Sequence, residues 1–332
     1  MCQDHRRLLA RAAIVGGGAP SSSSVLALMT RPRSGGVPKR YAPRDPASGG
    51  VDVAGRCTMA ESRMVAVNGV HFEVCEDGPA NAAETVVFLH GTNSSARIWS
   101  EIQRHLAAAG IRSVAINSRG AGGTEHTPAP EDYRPSHYAA DAKAVLEAIG
   151  VRQFTLVAHA LGTRAAARYL TEQNAGEAVG FAYMSGAHML QPVAGVPLDA
   201  PTRGGGLEDF EAWKLTHHAL PPEVQRALYD DIAANPPQRA LGQRLESQPD
   251  HVAMLAKLEL PILHITGDAD GPRVGLTLRA FLAQPEQWRS LHVIHGNVGH
   301  YPNAQAPEEI ARVLVTFVHG RVAAGATPIA AH

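Results

Sequence analysis

The stretch Phe154-Thr155-Leu156-Val157-Ala158-His159-Ala160-Leu161-Gly162-Thr163 decides how this chain folds. Its first half is apolar and β-branched, as a strand buried on both faces must be. Small residues follow, fit for a sharp turn, and then an alanine-rich helix runs from Arg164 to Leu170. Strand, turn and helix of this kind carry the pattern G-x-S-x-G, in which the turn lifts a nucleophilic hydroxyl above the sheet. Here the five positions read Ala158-His159-Ala160-Leu161-Gly162. The frame is present and the reactive oxygen is not. A methyl group cannot attack a carbonyl, so covalent acyl transfer is not expected of Ala160.

Working outward, strand and helix signals alternate. Met64–Val67 and Val70–Cys75 flank Asn68-Gly69, a two-residue hairpin signal. Thr85–Leu89, Ile111–Ile116, Val179–Met184, Ile262–Thr266 and Ser290–Ile294 read as further strands. Helical spacing of apolar residues marks Ala96–Ala109, Tyr138–Ile149 and Pro307–His319. The alternation predicts an α/β protein with a mostly parallel, doubly wound sheet covered on both faces. Residues 190–258 break the rhythm with two amphipathic stretches, Leu207–His218 and Pro222–Ala234. They are expected to form a helical cap inserted before a later strand, with Trp213, Leu215, Leu220 and Tyr229 as candidate pocket-lining or packing residues.

The expected organisation is an N-terminal extension over 1–60, a core over 61–189, the cap over 190–258, the rest of the core over 259–322, and a tail over 323–332. The extension holds four consecutive serines and glycine runs and cannot bury much apolar area. It reads as disordered, with Arg6-Arg7-Leu8-Leu9 as the alternative of a twin-arginine-like export signal. With Lys+Arg 30 against Asp+Glu 31, charge gives no case for nucleic acid or anionic membranes. No apolar run is long enough to span a bilayer. The 17 histidines form no metal-ligand motif, and no metal or organic cofactor is implied. Cys2, Cys57 and Cys75 have no paired spacing, which makes reduced thiols and a cytoplasmic setting the default. Oligomeric state leaves no signal.

The chain resembles the α/β-hydrolase superfamily from about Met64 to His319. The motifs that carry the resemblance stand in order around the turn at 160. They are Phe88-Leu89-His90-Gly91-Thr92-Asn93, Asn117-Ser118-Arg119-Gly120-Ala121-Gly122, Gly267-Asp268-Ala269-Asp270-Gly271-Pro272 and Gly296-Asn297-Val298-Gly299-His300-Tyr301-Pro302. Asn117 departs from the family's usual aspartate, and Ala158 from its usual glycine. The resemblance implies a triad with Ala160 at the nucleophile position, Asp270 as the acid (Asp268 in reserve) and His300 as general base. It implies an oxyanion hole from the backbone N–H groups of Leu161 and of Thr92 or Asn93, with His90, Gly91, His159 and Trp213 near the substrate. His159 and His295 read equally as packing residues.

Three expectations follow for Ala160. The first is an inactive form of an esterase or lactonase, a hydrolase of carboxylic esters whose elbow serine has been replaced by alanine. Its substrate would be a small molecule of moderate size and low charge. The second is a native alanine enzyme in which the His300–Asp270 dyad alone abstracts a proton, for lyase, cyclase or cofactor-free oxygenase chemistry. The third is a ligand-binding protein without catalysis. Epoxide and haloalkane hydrolysis are disfavoured, because the branches of the superfamily that do them place an aspartate at the elbow.

Overall fold

The computed structural model describes residues 61–92, 94–186, 220–243, 245–246 and 250–323. The expectations for 1–60, for Leu207–His218 and for 324–332 lie outside the described residues. Eight strands form one sheet: β1 (Glu61–Val67), β2 (Val70–Asp77), β3 (Thr85–Leu89), β4 (Arg112–Ile116), β5 (Phe154–His159), β6 (Ala178–Met184), β7 (Ile262–Gly267) and β8 (Arg289–Ile294). Their order is β1-β2-β4-β3-β5-β6-β7-β8. The β1–β2 hairpin turns at Asn68 and Gly69, both at positive φ, as that dipeptide predicts. β2 also pairs antiparallel with β4, and every pairing from β4 to β8 is parallel.

Helices cover both faces. Those of the first face are α2 (Pro135–Ala148) and α3 (Gly162–Arg168); those of the second are α1 (Ser100–Ala108) and α9 (Pro307–Ala323). Alternation along the central strands assigns the side chains. In β3, Val87 and Leu89 join the core with Ala139, Val145 and Ala166, while Val86 and Phe88 join the core with Ile102, Leu106, Ile310 and Leu314. Every residue of β5 is buried. The alternation therefore builds two cores that meet across one strand layer, and β5 lies in the middle of the sheet.

Among the described residues three further helices lie between β6 and β7: α4 (Pro222–Ala234), α5 (Pro237–Gly242) and α6 (His251–Leu255). Then come α7 (Pro272–Ala283) after β7 and α8 (Pro302–Gln305) just before α9. Periodicity anticipates α4, while the sequence reading gives no helix at α5, α6, α7 or α8. Leu220, Leu228 and Ile232 of this region form a small cluster against Ile98, Tyr229 and Tyr301. Among the described residues no helix is long and apolar enough to cross a membrane. Cys75 is fully buried in β2 and is disulfide-bonded. The expectation of reduced thiols does not hold for this cysteine.

Four histidines among the described residues are buried: His90, His159, His251 and His264. Burial holds them at about 3, 3, 4 and 3 respectively, against an ordinary value of 6.5. They are therefore neutral in the fold, since a charged imidazole would lose its hydration there.

Two predictions follow from this packing. At Gly267 an added Cβ would stand 2.1 Å from the Val298 carbonyl oxygen, so β7 meets the loop after β8 backbone to backbone. Gly267→Ala should cost about 2–4 kcal/mol of folding free energy, read from the denaturant midpoint; an unchanged midpoint would contradict the close approach. The second concerns acid. Below pH 6.5 the unfolded chain binds protons that these histidines in the fold refuse until about pH 3–4, so stability falls as pH falls through that window. His264→Leu should flatten the loss of thermal stability between pH 6.5 and 5, above the range where ordinary carboxylates titrate. A slope identical to that of the unaltered chain would refute the neutral-histidine account.

Candidate active site

The turn between β5 and α3 sets the geometry. Ala160 sits at φ 49°, a left-handed conformation that costs an ordinary L-residue about 1–2 kcal/mol. Its surroundings impose it. The Ala160 N–H donates to the Met184 carbonyl at 3.1 Å, and its own carbonyl accepts from the Thr163 N–H at 3.0 Å and from the Thr163 hydroxyl at 2.6 Å. Gly162 is required two residues on. A Cβ there would lie 2.6 Å from the Leu89 carbonyl oxygen and 2.7 Å from that of His90, so α3 begins hard against the end of β3. Gly91 closes the other side: an added Cβ would meet the Ala160 methyl at 3.2 Å. Ala158 is wholly buried in β5, where its methyl joins the core.

Two loops at the same end of the sheet bring an acid and a base together. His300 Nδ1 lies 3.2 Å from Asp270 Oδ1 and 3.4 Å from Oδ2. The Asp270 side chain is 1% exposed and that of His300 is 24% exposed, so the carboxylate is shielded while the imidazole reaches solvent. A carboxylate so placed accepts a hydrogen bond from Nδ1–H and leaves Nε2 as the proton acceptor. Arg273 stands at 3.8 Å on the same Asp270 oxygen. Asp268 does different work. It accepts the N–H groups of Gly296 at 3.1 Å and Val298 at 2.9 Å, tying the loop after β7 to the loop after β8. His295 is largely exposed, 3.7 Å from Asp268.

His159 is buried beneath His300. Its Nε2 donates to the His300 carbonyl oxygen at 2.7 Å, and its ring lies 4.9 Å from the His300 ring and 5.5 Å from that of Tyr301. Burial first, and then the neighbouring His300, holds His159 at about 3. It is a neutral brace. The Tyr301 hydroxyl is pushed up to about 12, chiefly by burial.

His90 is also committed internally. Its Nδ1 donates to the Gly91 carbonyl at 2.7 Å, and its Nε2 accepts the Ser118 N–H at 3.1 Å. Asn117, beside it, shows why an amide suits this position. Its Oδ1 accepts the Ala96 N–H at 2.6 Å and its Nδ2 donates to Glu73 Oε2 at 2.7 Å. A carboxylate at 117 would face that of Glu73 with no proton to offer. Glu73 also accepts from Ser62 Oγ and the Gly123 N–H, at 2.9 and 2.7 Å.

Of the candidates read from the sequence, Ala160, Gly91, His159, His300 and Asp270 lie together, with Leu161 opening α3 and Thr92 following Gly91 in the loop after β3. The Leu161 N–H precedes the first intrahelical bonds of α3, where a helix leaves donors without helical partners. Asn93 and Trp213 fall outside the described residues. Sequence reasoning missed Asp231 of α4, which accepts from Ser95 Oγ at 2.6 Å with Arg97 at 3.4 Å, and Arg239 of α5, which donates to Ser118 Oγ at 2.8 Å. Nothing in their spacing marks either one.

The family described as "alpha/beta hydrolase fold" matches residues 84–210. "Epoxide hydrolase 1" of Siraitia grosvenorii is 33% identical over 97 residues, which cover 29% of this chain and 30% of that protein. The chain thus spans about a third of the length of the curated relatives it matches. Among solved structures, epoxide hydrolase VrEH1 from Vigna radiata superposes at TM-score 0.61 with 22% identity, covering 79% of this chain and 98% of that one. The enol-lactonase from Burkholderia xenovorans LB400 superposes at 0.65 with 16% identity, covering 77% and 100%. With the sheet order, the strained turn after β5 and the loops after β7 and β8, these likenesses give the chain the α/β-hydrolase fold, with residues 84–210 similar to that family.

Proposed function

We propose that this chain is the alanine form of a serine hydrolase acting on a carboxylic ester or lactone. One observation carries the reading: a residue with no preference of its own for left-handed backbone is held at φ 49°, with Gly91 against its methyl and a buried Asp270 on His300 nearby. A turn strained in this way at a functional edge of a sheet is an arrangement kept for what it presents.

With serine at 160, the chemistry runs as follows. The hydroxyl attacks the substrate carbonyl and gives its proton to His300 Nε2. Asp270 stabilises the imidazolium that forms. The N–H groups of Leu161 and of Thr92 or Asn93 receive the developing oxyanion, each contributing about 3 kcal/mol when correctly aimed. His300 then protonates the leaving alkoxide, and water repeats the sequence to release the acid. With alanine the first step has no nucleophile, and turnover by this route falls by on the order of a million-fold. Ester or lactone is preferred to epoxide because the epoxide route uses an elbow carboxylate. In the proposal α4, α5 and α6 act as the cap over this site, supported by the Leu220–Leu228–Ile232 cluster against Tyr301.

The intact contact between His300 and Asp270 in a chain without a nucleophile supports a second reading, in which the pair acts alone as a general base.

The decisive measurement is turnover by Ala160→Ser across short p-nitrophenyl esters and lactones. The proposal expects hydrolysis where the alanine form shows none above background. A serine variant inert to that panel and to fluorophosphonate labelling would reject it. Epoxide opening by Ala160→Asp alongside an inert serine variant would put the epoxide reading in its place. For the second reading, any activity of the unaltered chain should vanish in His300→Ala.

A further inference from the structure

Arg239 is 4% exposed, yet none of the described residues offers it a carboxylate within ion-pair distance. Its contacts are neutral: Nη1 donates to Asn235 Oδ1 at 2.7 Å and Nη2 to Ser118 Oγ at 2.8 Å. A guanidinium carries five N–H donors, and these contacts use two. Burial lowers Arg239 to about 10, which leaves it cationic at neutral pH. The carboxylate acting on it from further away, Asp231, is already committed to Ser95 and Arg97. Buried charges in folded proteins are normally paired, because an unpaired one forfeits its hydration without compensation.

The guanidinium lines a small cavity that also contains Gly91 and Leu161, the residues flanking position 160 in space and in sequence. The other charged groups on its wall are Arg119, Arg134, Asp132 and Asp141. Arg119 occupies both aspartates, at 2.6 and 2.9 Å to Asp141 and 3.9 Å to Asp132. Among the described residues, three arginines against two aspartates leave the wall with an excess of one positive charge. A neutral substrate has no use for that excess.

We propose that this cavity is an anion subsite, in which Arg239 receives a carboxylate carried by the substrate a few bonds from the carbonyl presented to residue 160. This rests on the ester or lactone reading and sharpens it: the substrate carries one negative charge, and α5, outside the motifs of the sheet, selects for it. Arg239 is a specificity residue and takes no part in bond making. Its bond to Ser118, which also holds the His90 ring, links an occupied subsite to the loop that bears Gly91.

The test compares monomethyl glutarate with dimethyl glutarate by isothermal titration against the unaltered Ala160 chain, which should bind an ester without consuming it. The expected result is at least about tenfold tighter binding of the monoanion, in line with a charge-assisted bidentate contact. The preference should disappear in Arg239→Gln and persist in part in Arg239→Lys. Equal affinity for the two esters, binding of neither up to their solubility, or a preference unchanged in a folded Arg239→Gln protein each overturns the subsite. The comparison on the unaltered chain stands even where the glutamine variant does not fold. Failure of the two readings is separable. If Ala160→Ser is inert to all esters while the charge preference holds, the hydrolase reading falls and the subsite remains. If the serine variant hydrolyses both esters with equal kcat/KM, the subsite falls and the hydrolase reading remains.

Discussion

The constraint on which the site depends is the approach of α3 to the end of β3. Gly162 has no side chain, and the carbonyl oxygens of Leu89 and His90 occupy the space one would fill. That contact forces β5 to turn within two residues and puts Ala160 into left-handed backbone. The cost is on the order of 1–2 kcal/mol and is offset by neighbours that cannot yield. β5 is buried along its whole length, and residue 160 is bonded to β6 through the Met184 carbonyl. The turn therefore persists whether its side chain is a hydroxymethyl or a methyl.

Around this turn the loops are held by polar groups that are themselves buried. Asp268 fastens the loop after β7 to the loop after β8, which sets the register in which Asp270 meets His300. His159 supports the His300 backbone from beneath. On the other side, Glu73, Asn117, Ser118 and His90 join β2 and the loops after β3 and β4. Each member of this second set uses a proton state that its neighbour requires. Asn117 must donate to Glu73, and His90 must accept from Ser118 while donating to Gly91. Neutral histidines are thus part of the scaffold, and burial is what keeps them neutral.

The helices between β6 and β7 enter this network from outside. Arg239 reaches Ser118, and Asp231 reaches Ser95 and Arg97, so α4 and α5 are coupled to the loops that frame residue 160. Helices inserted between two strands can in this way tune the electrostatics of the loops they touch. The excess positive charge beside Gly91 and Leu161 is the instance of that coupling with a direct consequence for ligand choice.

Much of this was legible in the linear chain. Alternation along Thr85–Leu89 and Phe154–His159 forecast strands with two covered faces, because period-two burial is a local property of the backbone. Asn68-Gly69 announced its hairpin, and the order of four loop motifs around position 160 pointed to the superfamily. The short helices α5 and α6 carry no signal of their own, since runs of six and five residues draw their stability from tertiary packing. Other features had no local signature at all. The φ of Ala160 comes from a glycine two residues away meeting a distant strand, and the fitness of Asn117 from a glutamate 44 residues earlier. The solitary charge of Arg239 depends on which carboxylates other side chains have already taken. Sequence determines which elements form, because propensity and periodicity act between near neighbours; only the tertiary structure decides proton states, backbone strain and unpaired charge, because these arise where remote segments meet in low dielectric.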